Sequence, residues 1–320
     1  MQMFQRIADV AAQYGILIMM ACHRLNKDAW PGGGLWYDKV VTEARVLQSW
    51  DRVADGLCGR WNVFAVDLQN EPHASSWGKN MGSGNDWGLA AGRLGNHVLT
   101  KCARWLVMVE GVGYKPGASG MDDPAAGIWW GENLVGARHQ PVKLSDMTKL
   151  VYSPHTYGPS VYMQGYFKAA CRSRTRGPDP RAPLLSAPPT PTPPPPCELL
   201  CARAAPPSQQ DRAFPNNMEA IWDKRFGFLP NEVGQPVVIG EMGGKYVEKD
   251  KQWQDWAASY MQRKGIGIFY FGLPPNSDDT GGLLLDDWKT PHAAKLTMLA
   301  KVPTTDVAKL AGFAPSQLVE

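Results

Sequence analysis

The stretch that decides the fold is Val63-Phe64-Ala65-Val66-Asp67-Leu68-Gln69, which is followed directly by Asn70-Glu71-Pro72-His73. The first seven residues are mainly apolar and β-prone, which predicts a buried strand of a parallel sheet. Pro72 has no N–H to donate to a neighbouring strand, so it ends this one. Asn70 and Glu71 are therefore predicted at the C-terminal end of the strand, where α/β barrels carry their active sites. Glu71 is a candidate proton donor there, and Asn70 a candidate partner for a substrate hydroxyl.

A second apolar stretch ends in the same way. Pro236-Val237-Val238-Ile239-Gly240 is followed by Glu241 and then by two glycines, which allow backbone or ligand to approach closely. Alone, Asn70-Glu71 is better explained as a polar pair that caps an ordinary strand. Two strand-end glutamates favour a different interpretation, because a retaining glycosidase needs one as acid/base and one as nucleophile.

Four motifs occur in the order seen in glycoside hydrolase family 5, and the chain most resembles the cellulase (endo-β-1,4-glucanase) members of that family. The motifs are Asn70–His73, Ser153–Tyr157, Gly240–Gly244 and Pro275–Gly282. The resemblance runs from about Met3 to Thr290, with one interruption. It implies a (β/α)8 barrel that cleaves β-1,4-glucan with retention of configuration. A mannanase or other β-glycanase of the family is the alternative within this class. An inactive sugar-binding protein or a non-folding fragment is the alternative outside it.

The resemblance also implies the roles of individual residues. Glu71 is the expected acid/base and Glu241 the expected nucleophile, with Asn70 on the 2-hydroxyl of the sugar that is cleaved. Tyr157 is expected to donate a hydrogen bond to Glu241, and His155 to serve the Glu71 side. The remaining substrate-binding candidates are His23, Trp36, Trp130 and Phe271.

Two positions depart from the family pattern. The family places a tryptophan platform at the end of the last strand, and here Leu273 falls at that position, so Phe271 is expected to supply a smaller platform. The family also carries an arginine near the nucleophile, on a strand that this sequence does not show. Asp67 and Glu110 also lie on predicted strands, and we assign both to structural pairing.

Alternating strands and helices predict right-handed βα units around a parallel sheet. We count six strands, whereas a closed barrel has eight. The chain opens on a helix that resembles the second of the family, so the first two strands are expected to precede Met1. We treat residues 1–320 as a single catalytic domain, a barrel truncated at its N-terminus.

A proline-rich insert, residues 171–212, interrupts the predicted barrel. Twelve of the 27 prolines fall between Gly177 and Ser208, a composition typical of polyproline-like or disordered chain. Phe167 before the insert and Phe214 after it lie in segments that are contiguous in the family pattern. We therefore interpret the insert as an intervening sequence that has been read through.

The composition, 44% hydrophobic and 20% charged, is that of an ordinary globular protein. A net charge of +3 is too small to indicate nucleic-acid binding, and no apolar run is long enough to span a membrane. The six cysteines show no zinc spacing. Cys58 and Cys102 could form a disulfide, although two free buried thiols are the expected state. We expect a monomer without metal or cofactor that binds a β-glucan, and secretion is implied by the resemblance although no signal peptide is visible.

Overall fold

A computed structural model of the chain describes residues 1–28, 32–78, 84–113, 127–168 and 214–304. Six parallel strands follow one another in chain order, as the sequence predicts. The first four pair as one sheet in the order β1-β2-β3-β4, and the last two pair with each other. Parallel bridges from Tyr152 to Val237 and from His155 to Glu241 place the second sheet beside β4. The strands are β1 (Ile18–Ala21), β2 (Val63–Asp67), β3 (Leu106–Val109), β4 (Leu150–Tyr152), β5 (Val238–Met242) and β6 (Gly267–Tyr270).

Helices alternate with these strands. The α-helices are α1 (Gln2–Gln13), α2 (Glu43–Leu57), α3 (Trp87–Lys101), α4 (Met218–Trp222), α5 (Leu229–Glu232), α6 (Glu248–Lys264) and α7 (Ala293–Leu299), with a π-helical turn at Asp223–Gly227. Before α2, the Asp38 carboxylate accepts hydrogen bonds from the N–H groups of Val40 and Val41, and this local turn keeps residues 38–41 out of the helix. None of the described helices has the length and apolar character needed to cross a bilayer.

The alternation of side chains along each strand separates two regions. One face packs against the helices in the main core, and the other carries a small apolar cluster made of Ala65, Met108 and Val151. Because side chains repeat every two residues along a strand, Asp67 and Glu110 lie on the same face as this cluster, next to it. The buried side chains of Asp67 and Glu110 therefore lie next to the apolar cluster on this face of the sheet.

The strand arrangement is that of a (β/α)8 barrel over the part of the chain described. The described residues form six strands. Strands β1 and β6 lie at the two ends of the series and do not pair with each other in that part of the chain. Helix α1, beside β1, exposes an apolar stripe at Met3, Ile7 and Val10.

The expectation of two free thiols is wrong for Cys58 and Cys102, which form a disulfide. Cys58 follows α2 and Cys102 follows α3, and their Cα atoms are 5.7 Å apart. Because α2 packs against α3, the ends of the two helices meet and bring the two cysteines together. Cys22 carries a free thiol, and burial, with the nearby Asp67 carboxylate, raises its pKa to about 11.

The insert at 171–212 lies outside the described residues, but the chain on either side of it is described. The rings of Phe167 and Phe214 pack edge to face with their centroids 5.4 Å apart. The amide of Asn217 donates to the carbonyl of Tyr166 at 3.0 Å. The two ends therefore meet in space, which supports the prediction that they are contiguous in the fold.

Deletion of residues 171–212 should leave the thermal unfolding midpoint and the catalytic activity unchanged, because the aromatic contact that joins the two ends remains. Differential scanning calorimetry of the shortened and full-length chains checks this. Phe167→Ala in the shortened chain is the control, and it should cost about 3 kcal/mol because Phe167 is fully buried. Loss of cooperative unfolding in the shortened chain would show that the insert belongs to the fold.

Candidate active site

The candidate active site lies at the carboxyl edge of the sheet. Glu71 follows β2, His155 follows β4, and Glu241 lies near the end of β5. Nδ1 of His155 is 3.1 Å from Oε1 of Glu71 and 3.4 Å from Oε2 of Glu241. One carboxylate oxygen of each glutamate and a His155 nitrogen all lie within 4.8 Å of one another. The structure therefore brings the two predicted catalytic glutamates into one site.

The backbone of Glu71 adopts a conformation that is uncommon for this residue type. Its φ angle is 47°, in the left-handed region. Such a conformation costs on the order of 1–3 kcal/mol and persists only where surrounding contacts hold it. The N–H of Glu71 donates to Oε2 of Glu110 at 2.8 Å, which is one such contact.

His155 is the centre of the buried polar cluster and is only 1% exposed. Its Nε2 lies 3.1 Å from Oε1 of Glu110. Burial alone would lower the pKa of His155, but the carboxylates of Glu110 and Glu241 outweigh it, so the pKa lies well above its usual range. Burial raises the pKa of Glu110, and the charge of His155 opposes this. Because both oxygens of Glu110 face N–H donors, the geometry favours its ionised, accepting form.

Asp67 completes this cluster beneath the catalytic glutamates. Burial raises its pKa to about 7; His155 opposes the shift and Glu241 adds to it. The hydroxyl of Ser153 donates to Oδ2 at 3.4 Å, while the buried Oδ1 has no hydrogen-bond partner among the described residues.

Tyr157 makes the contact with Glu241 that the sequence predicts. Its hydroxyl donates to Oε2 of Glu241 at 2.5 Å. Burial, followed by the negative charge of Glu241, raises the pKa of Tyr157 well above its usual range. Tyr157 therefore remains a hydrogen-bond donor at neutral pH.

An aromatic cleft of about 570 Å³ opens over the two glutamates. Trp130 is 40% exposed, and one face of its ring stacks on His73 with centroids 3.8 Å apart. Phe271 is 38% exposed and lies edge-on to Tyr157, whose ring centroid is 6.5 Å away. The lining includes Glu71, Trp130, Tyr157, Tyr162, Glu241 and Phe271.

Two further predicted residues lie beside this cleft. His23 lines both the cleft and a smaller adjoining pocket. Asn70 lines the smaller pocket and is 7% exposed. Seen from the cleft, both residues lie on the Glu71 side of the site.

The prediction that Trp36 stacks on a sugar is wrong, because its side chain is fully buried. Its Nε1–H donates to Glu43 at 2.7 Å, and its ring packs against Trp87. Trp129 is also mostly buried, at 8% exposure. The family resemblance implied an exposed ring at Trp36, but residues of helices α2 and α3 enclose it.

Sequence reasoning missed a buried ion pair that holds residues 127–132, the segment that carries Trp129 and Trp130 and forms an aromatic wall of the cleft. Nη1 of Arg225 lies 2.5 Å from Oε2 of Glu132, and both side chains are almost completely buried. Glu132 also accepts from the Trp129 N–H and the Thr156 hydroxyl, while Arg225 donates to the Gly127 carbonyl. The pair therefore joins the wall segment to the π-helical turn. No motif marks it, because its two residues are distant in sequence.

Glu110 was assigned to structural pairing, yet it contacts both Glu71 and His155. Its position at a strand end, like those of Glu71 and Glu241, is the signal that could have identified it. Among the described residues, the sets able to hold a metal ion are Asp67 with Glu110 and His155, and Glu71 with His155 and Glu241.

Comparison with known proteins identifies the family of this chain. The model of the family Cellulase (glycosyl hydrolase family 5) matches residues 1–277. The chain belongs to glycosyl hydrolase family 5. An endoglucanase from Paenibacillus polymyxa is 34% identical over 320 residues, which is 97% of this chain and 67% of that protein. The major extracellular endoglucanase of Xanthomonas campestris pv. campestris is 34% identical over 83% of this chain, which spans 46% of that protein.

Solved structures of family 5 enzymes resemble this chain over most of its length. An endocellulase variant from Pyrococcus horikoshii, in complex with cellotetraose, superposes with a TM-score of 0.75 at 30% identity. The match covers 94% of this chain and 73% of that one. The catalytic domain of the Xanthomonas endoglucanase gives a TM-score of 0.71 at the same identity. These matches support the (β/α)8 fold of the family for this chain.

Arg225→Met should lower the free energy of unfolding by about 3–5 kcal/mol, because it leaves the Glu132 carboxylate buried without its cation. Urea unfolding followed by tryptophan fluorescence measures the change. Arg263→Met is the matched control: its ion pair with Glu219 is half exposed, so the loss should be below about 1 kcal/mol. Equal losses in the two variants would mean that the buried pair does not stabilise the wall.

Proposed function

We propose that this family 5 protein hydrolyses internal bonds of β-1,4-glucan with retention of configuration. The observation that carries the proposal is the proximity of Glu71 and Glu241, which have carboxylate oxygens within 4.8 Å of each other. Retaining enzymes hold their two carboxyl groups about 5–5.5 Å apart, whereas inverting enzymes leave room for a water and hold them about 6.5–9.5 Å apart.

In the first step, Glu241 attacks the anomeric carbon while Glu71 protonates the departing glycosidic oxygen. The bond from the anomeric carbon to the leaving oxygen breaks as the bond to the Glu241 carboxylate forms. Tyr157 orients Glu241 by donating a hydrogen bond to its carboxylate.

In the second step, Glu71 acts as a base and removes a proton from water, which attacks the same carbon and releases Glu241. Two displacements restore the original configuration. Neither step requires a metal or a cofactor, since proton transfer and nucleophilic attack are both supplied by carboxyl groups.

The cleft supplies the surfaces for sugar binding. The exposed face of Trp130 and the ring of Phe271 flank the catalytic centre, and flat aromatic faces suit stacking on pyranose rings. Asn70 and His23 line the neighbouring pocket, where we place the sugar that is cleaved. The cellotetraose bound to the similar Pyrococcus endocellulase supports a β-glucan oligosaccharide as ligand. We also propose that the protein is secreted, which the extracellular Xanthomonas relative supports, and that it is a monomer.

Hydrolysis of a soluble β-1,4-glucan should release the β-anomer first, because two inversions give net retention. Proton NMR of the product within the first minutes, before mutarotation, measures the anomer. A β-1,4-mannan under the same conditions is the control for substrate class. An α-anomer formed first would exclude the double displacement, and faster cleavage of mannan would reassign the substrate.

The two glutamates should respond differently to azide. With a substrate whose leaving group needs no protonation, Glu71→Ala should accumulate the covalent intermediate, and azide should rescue turnover as a β-glycosyl azide. Glu241→Ala forms no intermediate, so azide entering the vacated side should give the α-glycosyl azide. NMR of the azide products distinguishes them. If the two variants gave the opposite anomers, the roles of Glu71 and Glu241 would be exchanged.

A further inference from the structure

The proposed mechanism uses Glu71 and Glu241 but leaves two buried carboxylates of the cluster, Asp67 and Glu110, without a role. Glu110 is 1% exposed and directly follows β3, between the strands that carry Glu71 and His155. Its Oε2 accepts the N–H of Glu71 at 2.8 Å, and its Oε1 lies 3.1 Å from Nε2 of His155. On its other side, Nδ1 of His155 lies 3.1 Å from the Glu71 carboxylate. A closed ring of contacts therefore runs from the backbone of Glu71 through Glu110 and His155 to the side chain of Glu71.

This ring fixes Glu71 at both ends. The left-handed backbone of Glu71 sets the direction of its side chain, and Glu110 accepts the N–H of that strained residue. His155, held at its Nε2 edge by Glu110, presents Nδ1 to the carboxylate of Glu71. A proton that moves between the Glu71 carboxylate and the leaving oxygen must be presented within hydrogen-bond reach. Small displacements of such a group reduce the rate steeply.

We propose that Glu110 is a positioning residue for proton transfer by Glu71, because one carboxylate holds both the backbone of Glu71 and the Nε2 edge of His155. This inference rests on the proposed retaining mechanism. Glu110 contacts no substrate in it, and acts only through its two neighbours.

Close packing around Glu110 restricts the position of its carboxylate. A Cβ added at Gly131, whose φ is 78°, would stand 2.5 Å from Oε2 of Glu110 and 3.3 Å from the ring of His155. The loop backbone therefore closes over the contact between the carboxylate and the imidazole. Carboxylates from neighbouring strands also face the imidazole, namely Glu71, Glu110, Glu241 and Asp67. Of these, Glu110 is the one that joins His155 to the backbone of Glu71.

Glu110→Gln tests the proposal with little change in volume. A carboxylate accepts at both oxygens, whereas a carboxamide accepts at one end and donates at the other. The introduced carboxamide would therefore face one of its two N–H partners with an N–H group of its own. The substitution breaks the ring of contacts without opening a cavity.

The readout compares two substrates through kcat/KM, which reports the first displacement. For an unactivated cello-oligosaccharide, kcat/KM should fall about 10- to 100-fold, because departure needs a well-placed proton. For dinitrophenyl β-cellobioside, kcat/KM should stay within about 3-fold of wild type, because this leaving group departs without protonation. An equal fall for both substrates, or no fall for either, would overturn the proposal.

Asp67→Asn is the matched control. Asp67 is as deeply buried as Glu110 and belongs to the same cluster. Its carboxylate accepts a hydrogen bond from the hydroxyl of Ser153. This variant should affect the two substrates by the same factor, so the ratio of their kcat/KM values should remain that of wild type. A changed ratio would mean that any buried charge in the cluster tunes proton transfer, and would overturn the specific role of Glu110.

Nitrogen-15 NMR of the imidazoles gives a second readout that does not depend on catalytic activity. In the wild-type chain, His155 should carry a slowly exchanging proton on Nε2, with the signal assigned by its absence in His155→Asn. In Glu110→Gln, His155 should lose its charge at lower pH, because the nearest carboxylate is gone. A wild-type His155 without a proton on Nε2 would overturn the proposal. If the wild type cleaves neither substrate, the proposed function fails, whereas this spectrum still decides whether Glu110 holds His155.

Discussion

The interaction on which the site depends is the contact of one buried imidazole with three glutamate carboxylates. His155 lies within 3.4 Å of Glu71, Glu110 and Glu241, and without its positive charge these groups would repel one another in a medium of low dielectric constant. The nearby Asp67, with a pKa raised to about 7, shows how strongly burial already disfavours further negative charge. Two carboxylates can stand close enough for a double displacement because His155 lies between them.

The parallel sheet is what makes this concentration of charge possible. Parallel strands end at one edge, and alternate side chains share one face, so residues far apart in sequence converge there. On that face the small cluster of Ala65, Met108 and Val151 lies below, and Asp67, Glu110 and His155 lie above. The apolar side chains and the polar side chains above them are all buried. The same arrangement that stabilises the strands therefore strengthens the electrostatic contacts of the site.

A second buried interaction, an ion pair, holds one wall of the cleft. Glu132 and Arg225 form a fully buried ion pair whose remaining oxygens and N–H groups bond to the loop that carries Trp129 and Trp130. The loop thus has a fixed anchor while Trp130 keeps one face toward solvent. This buried pair holds the loop through charged hydrogen bonds, so the position of the loop does not depend on burial of the Trp130 ring.

The sequence by itself determined the six parallel strands and the family, and it placed at strand ends both glutamates that we propose as catalytic. These features are local: an apolar run, a proline that ends it, and a motif within a few residues. What only the tertiary structure decided depends on distances between segments. It enclosed Trp36 between α2 and α3, joined Cys58 to Cys102, and placed Glu110 between Glu71 and His155. Each of these contacts pairs residues that are distant along the chain, and hydrophobic periodicity or a short motif carries no information about which helix ends or strand ends will meet.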